Sequence, residues 1–358
     1  MPNFFISSYK YLSAMARLNL GMNLKYPLLV YMELTRRCNL KCRFCGIWRE
    51  STREELTLLD LKKLFDEAKE KKVQLLTLGG GEPFLRKDIS EIIKELSKRG
   101  LRTSITTNGT LISRKKIKEI SRTKQLSFNF SIDGPSAEIH DGLRRKKGTF
   151  NKATNTIRLI KQYAPHIKVN ISIVLNQRNY YLLPEMLGLC EELDAAAINL
   201  LPIHMAYPQS IYDKQEEGLF FKDKKDTEKL KKEIANFKNL LKKSPVSSAS
   251  DTFLNLIPYQ HLTKKFPYHC FGGDIFCEIN YQGDVFPCYG KPRAIGNIKQ
   301  ESLSSIWAGK KAVKIRKQLR NCSSCFQNCY TEPSLRFSPL FLLKNPLRML
   351  RDYKLLLR

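Results

Sequence analysis

The sequence predicts an α/β fold: a parallel sheet or barrel of six strands with a small cysteine-rich domain behind it. Three observations predict it. Apolar, β-branched runs alternate with amphipathic stretches from about residue 28 to 205. Each of the first four runs ends in a cysteine-rich, glycine-rich or polar motif. Nine of the ten cysteines fall into three tight groups, at 38–45, 270–288 and 322–329.

The six runs are LLVYMEL (28–34), VQLLTLG (73–79), LRTSITT (101–107), LSFNFSI (126–132), IKVNISIVL (167–175) and AAINLLP (196–202). They read as nearly continuous apolar strands, covered on both faces. Helices are expected at 57–72, 88–100 and 148–163. In the first, Leu61, Leu64, Phe65 and Ala68 share one face. Asp88 stands where an N-cap belongs and Gly100 where the chain must leave a helix. Residues 206–268 break the pattern and read as a linker with one long solvated helix, its lysines interspersed with acids. The cysteines return in a turn-rich segment at 269–330, and 331–358 is a basic, aliphatic tail. Residues 1–27 are also apolar and basic. Both ends resemble interfacial helices; the alternative is that each packs on the domain.

The chain has 358 residues and a net charge of +28. That balance attracts anions such as nucleic acid, an acidic substrate or a membrane surface, unless it reflects a lysine-rich proteome. No run of about 18 apolar residues is present, so no membrane-spanning helix is expected. No secretory signal is visible, and clustered thiols in an intracellular chain read as metal or catalytic sites. A cytoplasmic protein is expected, its basic ends able to touch the inner face of a membrane.

Cys38, Cys42 and Cys45 follow the first strand directly, in TRRCNLKCRFCGIW (35–48). Thiolates at this spacing on one loop can turn onto a single inorganic cube. Structural zinc ordinarily takes four ligands, commonly as two CxxC pairs. No fourth ligand stands nearby. An iron–sulfur cluster held by three thiolates leaves one iron open for a substrate or cofactor. The competing reading is zinc completed by a distant residue.

The next strand ends are GGGEP (79–83), TTNGT (106–110) and FSIDG (130–134). In a parallel barrel these ends share one mouth. Gly80 and Gly81 let backbone come close to a ligand. Glu82 offers a carboxylate suited to an ammonium group, Asn108, Ser131 and Asp133 offer groups for hydroxyls, and Arg144 can pair with a carboxylate. The ligand inferred carries an amine, a carboxylate and a ribose.

This CxxxCxxC motif, with GGEP, TNGT and SIDG in series, resembles the radical S-adenosylmethionine (radical SAM) superfamily over about residues 28–205. The resemblance implies a partial (β/α)6 barrel. It implies that Cys38, Cys42 and Cys45 hold a 4Fe–4S cluster whose open iron binds the amino and carboxylate groups of S-adenosylmethionine. One electron then yields a 5′-deoxyadenosyl radical that abstracts hydrogen from a substrate. Phe44 matches the aromatic position near the adenine. Gly80, Gly81 and Glu82 match the motif for the methionyl amine, and Asn108, Ser131 and Arg144 match recurrent cofactor contacts.

Cys270, Gly283 and Cys288 resemble the opening of the SPASM and twitch extensions found behind many radical SAM cores. YQGDVFP reads as a hairpin with Gly283 at a position needing φ > 0. CSSCFQNC adds Cys322, Cys325 and Cys329. Two complete clusters need eight ligands and this region has six, so one auxiliary 4Fe–4S cluster is expected. Cys270, Cys288, Cys322 and Cys325 form the favoured ligand set. Cys277 and Cys329 are candidates to replace one of them or to support a second, incomplete cluster; zinc is the alternative metal. Cys190, alone in an apolar stretch, reads as a core thiol. Some SPASM enzymes carry an acid just after the hairpin cysteine; here that position is Tyr289.

The function expected is that of a radical SAM enzyme supplied with electrons by a donor such as ferredoxin or flavodoxin. Its substrate is a peptide or protein side chain, or a lipid-like molecule. The alternative is a non-enzymatic iron–sulfur or zinc protein binding nucleic acid. The strand-end motifs argue against it, since such a module needs no amine- and ribose-contacting loops.

Overall fold

The computed structural model describes residues 13–49, 54–203, 217–263, 267–288, 293–319, 322 and 328–338. Six strands lie side by side and parallel: β1 (Leu29–Thr35), β2 (Leu75–Gly80), β3 (Thr103–Thr107), β4 (Leu126–Ser131), β5 (Lys168–Leu175) and β6 (Ala197–Pro202). On the other side of β1 the cysteine-rich segment adds β7 (Phe276–Ile279), parallel, then the antiparallel β8 (Asp284–Phe286) and β9 (Gly296–Asn297). The order β6-β5-β4-β3-β2-β1-β7-β8-β9 does not close on itself. This is a partial barrel continued into a small C-terminal domain, and the two share one sheet.

Residues 13–19 form α1. The barrel helices are α2 (Leu58–Glu70), α3 (Ile89–Lys98), α4 (Arg114–Ile120), α5 (Ala137–Arg144), α6 (Thr149–Tyr163) and α7 (Leu183–Glu192). Then come α8 (Lys224–Leu241), α9 (Asp251–Thr263), α10 (Gly272–Ile275), α11 (Leu303–Ala308), α12 (Lys310–Leu319) and α13 (Asn328–Arg336). Thr57 starts α2 with a capping box to Asp60, and Leu61, Leu64, Phe65 and Ala68 are its buried residues. Gly100 ends α3 at φ +67°. Asp88 occupies the N-cap of α3, but its carboxylate makes no capping bond and instead takes Arg86 at 2.8 Å.

The strands correct one expectation. They are apolar on one face only. Val30, Met32, Leu76, Leu78, Ile105, Phe128, Phe130, Val169, Ile171, Ile173, Ile198 and Leu200 are buried in the main core. The alternate positions Thr77, Ser104, Thr106, Ser127, Asn129, Ser131, Asn170, Ser172 and Asn199 face the inside of the curved sheet. A closed barrel fills that space with branched apolar side chains. Here the curved sheet stays open, and most of the polar positions are half-buried.

The described part of the segment expected to be a linker is part of the fold. In α8, Leu230, Ile234 and Phe237 are buried in the main core, so only part of its surface is solvated. Ser247 then bridges to Ala197 and covers the β6 edge. The tail boundary also shifts, because α13 runs through residue 331 without a break. Its Glu332 accepts from Ser250 N (3.2 Å) and Ser250 Oγ (2.7 Å), tying the C-terminal domain to the start of α9. Ala14, Leu18 and Leu24 pack with Phe271, Ile275, Phe276, Tyr330 and Phe337. The described part of the C-terminal end buries Leu335 and Phe337, and that of the N-terminal end buries Ala14, Leu18, Leu24 and Tyr26 but leaves Leu20 and Met22 exposed; residues 1–12 and 339–358 lie outside the described residues. Among the described residues no helix is long and apolar enough to cross a membrane.

Ser250→Ala strands a buried Glu332 oxygen. It is expected to cost about 1–3 kcal/mol of stability, read as a lower denaturant midpoint with unchanged iron content.

Candidate functional site

The C-terminal ends of β1 to β4 meet at one mouth, and the cysteine loop leaves β1 directly into it. Backbone approach fixes the loop's position. Gly81 N donates to Thr35 O (2.7 Å) and Glu82 N to Arg37 O (2.8 Å). A Cβ on Gly81 would stand 2.1 Å from Arg37 O, and one on Gly80 2.3 Å from Thr35 O. Gly80 also has φ +109°, which L side chains rarely adopt. These glycines serve the close contact between two strand ends. Gly80 N is taken by the Tyr31 hydroxyl (2.8 Å), so what this strand end can still offer a ligand is carbonyl oxygen.

Glu82 has no exposed surface and its carboxylate is already engaged. It accepts from Phe84 N (3.1 Å), Thr107 Oγ1 (2.8 Å) and Asn108 N (2.8 Å). Burial pushes its pKa up, while those donors pull it down. Asn108 is likewise engaged: its Nδ2 donates to Asn39 Oδ1 (2.9 Å), and its Oδ1 accepts from Thr110 N (2.9 Å) and Thr110 Oγ1 (2.6 Å). Asn39 Nδ2 donates to Thr110 Oγ1 (2.9 Å). The TNGT turn and the cysteine loop are thus one hydrogen-bonded unit.

Arg144 finds its carboxylate within the chain. Its Nη2 lies 2.6 Å from Asp133 Oδ2, and Asp133 Oδ1 accepts from Val174 N (2.8 Å). Arg144 Nη1 reaches Cys42 Sγ at 3.6 Å, and the guanidinium sits 5.3 Å from the centre of the Phe44 ring. Burial opposes its charge, but Asp133 and Cys42 more than offset this and push the guanidinium up. Arg144 therefore links the β4 end, a cysteine and the aromatic residue between Cys42 and Cys45. Ser131, half-buried at the end of β4, faces the interior beside Ser172 of β5.

Cys38, Cys42 and Cys45 are free thiols in a small apolar cluster with Leu40, Phe44, Leu143, Ile203 and Leu219. Burial pushes Cys38 up to about 11 and Cys45 up to about 12. Burial also raises Cys42, against the pull of Arg144. Among the described residues no group of three cysteine, histidine or acidic side chains is gathered as for a single ion. A cubic cluster takes its ligands at separate corners, wider apart than one ion does. One buried and two half-buried thiols, an adjacent fixed cation and an apolar wall fit such a cluster, whose iron would drive off the thiol protons.

In the C-terminal domain Cys270 is half-buried and accepts from Gly272 N (3.4 Å); burial raises its pKa, and the charge of nearby Cys322 adds to the effect. Cys288 is half-buried just after β8, in the hairpin expected, with Gly283 at φ +95°. Cys277 is wholly buried on the core side of β7, where burial raises its pKa and Glu278 and Glu67 add to the effect. Cys325, Tyr289 and the Cys329 side chain lie outside the described residues. Cys190 is a fully buried core thiol in α7.

Sequence reasoning missed the interior wall. Asn129 Nδ2 donates to Ser104 Oγ (2.9 Å), Asn170 Nδ2 to Asn129 Oδ1 (3.0 Å) and Asn199 Nδ2 to Ser172 Oγ (3.4 Å). The signal was present as period-two polarity in LSFNFS and KVNISIV. Glu33 of β1 and Glu278 of β7 were missed as well. Both are buried, and Glu278 is raised by burial and then by Glu33.

Fold and site together define an open α/β barrel built around a three-thiol loop at its mouth. Residues 32–180 match the Radical SAM superfamily, and residues 270–330 match SPASM, an iron–sulfur cluster-binding domain. An AdoMet-dependent heme synthase of Oleidesulfovibrio alaskensis is 30% identical over 292 residues, covering 78% of this chain and 74% of the relative. The subtilosin biosynthesis protein AlbA of Bacillus subtilis is 27% identical over 287 residues, 78% of this chain and 59% of that protein. Streptococcus suis SuiB bound to S-adenosylmethionine shares the fold, with a TM-score of 0.67 at 20% identity, covering 84% of this chain and 70% of that one. The chain belongs to the radical SAM superfamily. It is a radical SAM enzyme whose cofactors are a 4Fe–4S cluster, S-adenosylmethionine and an auxiliary iron–sulfur centre.

Two outcomes follow from the geometry. Gly81→Ala forces the cysteine loop off the β2 end. Iron should fall from about eight to about four per chain with unchanged far-ultraviolet circular dichroism; full iron content contradicts the close-contact account. In the cluster-free protein, folding raises the Cys38 and Cys45 pKa values above the ordinary 9.0. The stability this supplies is fully present below pH 9 and is lost as pH rises toward 11 to 12. A melting temperature that falls over that window, and falls less in a Cys38/Cys42/Cys45 triple alanine variant, is expected.

Proposed function

We propose that this enzyme abstracts hydrogen from a peptide or protein side chain held against the polar inner wall of the barrel. In this reading Cys38, Cys42 and Cys45 hold the cluster that binds S-adenosylmethionine, and the pair supplies a 5′-deoxyadenosyl radical. Carbonyls at the Gly80–Gly81 strand end receive the methionyl ammonium, and the Ser131 hydroxyl and Phe44 ring contact the rest of the cofactor. Glu82, Asn108 and Arg144 act mainly by holding the loops that form the site. Cys270, Cys288, Cys322 and Cys325 hold one auxiliary cluster, with Cys277 left in the core. A reduced ferredoxin- or flavodoxin-type protein supplies the electron.

The observation that carries the substrate class is the inner wall. Thr106, Asn129 and Asn170 stand in one row across β3 to β5, and Ser131, Ser172 and Asn199 in the next across β4 to β6. The second row starts at the proposed cofactor contact and leads away from it. Amide and hydroxyl groups pair with peptide amides. An acyl chain would leave the donors and acceptors that these groups do not spend on one another unpaired, at about 1–3 kcal/mol for each group so stranded. AlbA takes part in bacteriocin biosynthesis, a PqqA peptide cyclase is 26% identical over 299 residues, and SuiB has been solved with its precursor peptide SuiA. A second reading, a haem-precursor tetrapyrrole, is favoured by the heme synthases among the relatives.

The test is anaerobic incubation of reconstituted enzyme with S-adenosylmethionine, reductant and either a peptide pool or a haem-precursor tetrapyrrole. Mass spectrometry should show cofactor-dependent hydrogen loss from a peptide. Conversion of the tetrapyrrole alone would replace the first reading with the second. The Cys38/Cys42/Cys45 triple alanine variant should lose all 5′-deoxyadenosine formation and about half its iron.

A further inference from the structure

The outer side of the cysteine loop is as charged as its inner side is apolar. Residues 36–49 contain Arg36, Arg37, Lys41, Arg43 and Arg49 and no acid. The turn after α5 adds Arg145, Lys146 and Lys147, all exposed. The two segments are joined: Arg43 N donates to Leu143 O (3.0 Å), Arg43 Nε to Gly142 O (2.9 Å) and Lys146 Nζ to Asn39 O (3.2 Å). Arg36 and Arg37 are paired with Glu33 and Glu55, each at 3.0 Å, and Glu50 follows Arg49 in the sequence; Asp141, before the second basic segment, turns away and accepts from Gly148 N, Thr149 Oγ1 and Phe150 N.

Trp48 stands at this surface. Its Nε1 donates to Cys45 O at 2.8 Å, so a bonded path leads from a candidate cluster ligand to a half-buried ring. Lys41 Nζ and Arg49 Cζ lie 5.3 and 4.9 Å from that ring's centre, and both residues are exposed. A patch of concentrated positive charge a few bonds from a cysteine carbonyl has the features of a docking face for an acidic electron carrier.

We propose that Lys41, Arg43, Arg49, Lys146 and Lys147 form the docking surface for an acidic one-electron donor protein, with Trp48 at its centre. The inference rests on the cysteine loop holding the cluster that cleaves S-adenosylmethionine. On docking, the reduced carrier gives up one electron and is left one-electron oxidised, and the cluster is reduced from its 2+ to its 1+ state. No proton or leaving group moves in that step. Charge steers encounter more than it adds affinity, so the effect belongs to the association rate and weakens with salt.

The experiment measures 5′-deoxyadenosine formation by the reconstituted full chain with two electron sources. One is flavodoxin hydroquinone, an acidic protein; the other is reduced methyl viologen, a small cation. Lys41→Glu with Arg49→Glu should slow the flavodoxin-driven rate at low salt about tenfold or more and flatten its salt dependence. The viologen-driven rate and the iron content should stay within about twofold of the unmodified protein. Should that variant lose iron, Lys41→Gln with Arg49→Gln takes its place, and an intermediate slowing of the flavodoxin arm alone is then expected. Equal flavodoxin-driven rates in variant and unmodified protein overturn the proposal. So does an unchanged flavodoxin rate accompanied by lost sedimentation with phosphatidylserine-rich vesicles, which would make the patch a membrane face. Failure of viologen to drive cleavage in the unmodified protein would instead overturn the cluster reading itself.

Discussion

The contact on which the site depends is the approach of the β2 end to the backbone leaving β1. Two hydrogen bonds, Gly81 to Thr35 and Glu82 to Arg37, hold the cysteine loop across the mouth. They form only because Gly80 and Gly81 present no Cβ to the carbonyls behind them. Glu82 then carries the same alignment to β3 through Thr107 and Asn108, and Asn108 returns it to the loop through Asn39. Four elements distant in sequence thus share one hydrogen-bonded frame, and the three thiols inherit its rigidity. Such support by surrounding groups decides whether a ligand set stays organised before its metal arrives.

Much of this was legible in the sequence because strand-end motifs in a parallel sheet must converge. The six strands, three of the barrel helices (α2, α3 and α6), the Gly283 hairpin and the buried Cys190 follow from periodicity and turn chemistry. The roles of individual side chains were harder to read. Arg144 and Glu82 looked like ligand-binding charges, but each meets partners from other elements, and no local pattern announces a pairing of Arg144 with Asp133. The inner wall was misread because Asn129 and Asn170 are each flanked by branched or aromatic residues, and the run as a whole looked apolar. The segment at 206–268 looked solvated because lysines outnumber its few buried positions, yet Leu230, Ile234 and Phe237 suffice to anchor α8.

The C-terminal domain is continuous with the barrel. β7 extends the sheet beyond β1, and α13 closes against α10 and α9 through Glu332 and Ser250. The second cysteine region thereby stands beside β1, next to the strand that carries the cysteine loop, with the polar inner wall on β3 to β6. Apolar packing around the thiols, polar lining of the interior and positive charge outside the loop divide the molecule into three chemical zones. In the proposed reading radical generation uses the first, substrate recognition the second and electron delivery the third.

The central claim is that the missing fourth thiol of the loop is the coordination position of S-adenosylmethionine. Electron–nuclear double resonance on the reduced, cluster-loaded protein, with the cofactor's amino nitrogen isotopically labelled, tests it most directly. The account predicts a hyperfine coupling from that nitrogen which is absent from the Cys38/Cys42/Cys45 triple alanine variant. A cofactor bound without nitrogen coupling, or a coupling that survives in the triple variant, would contradict it.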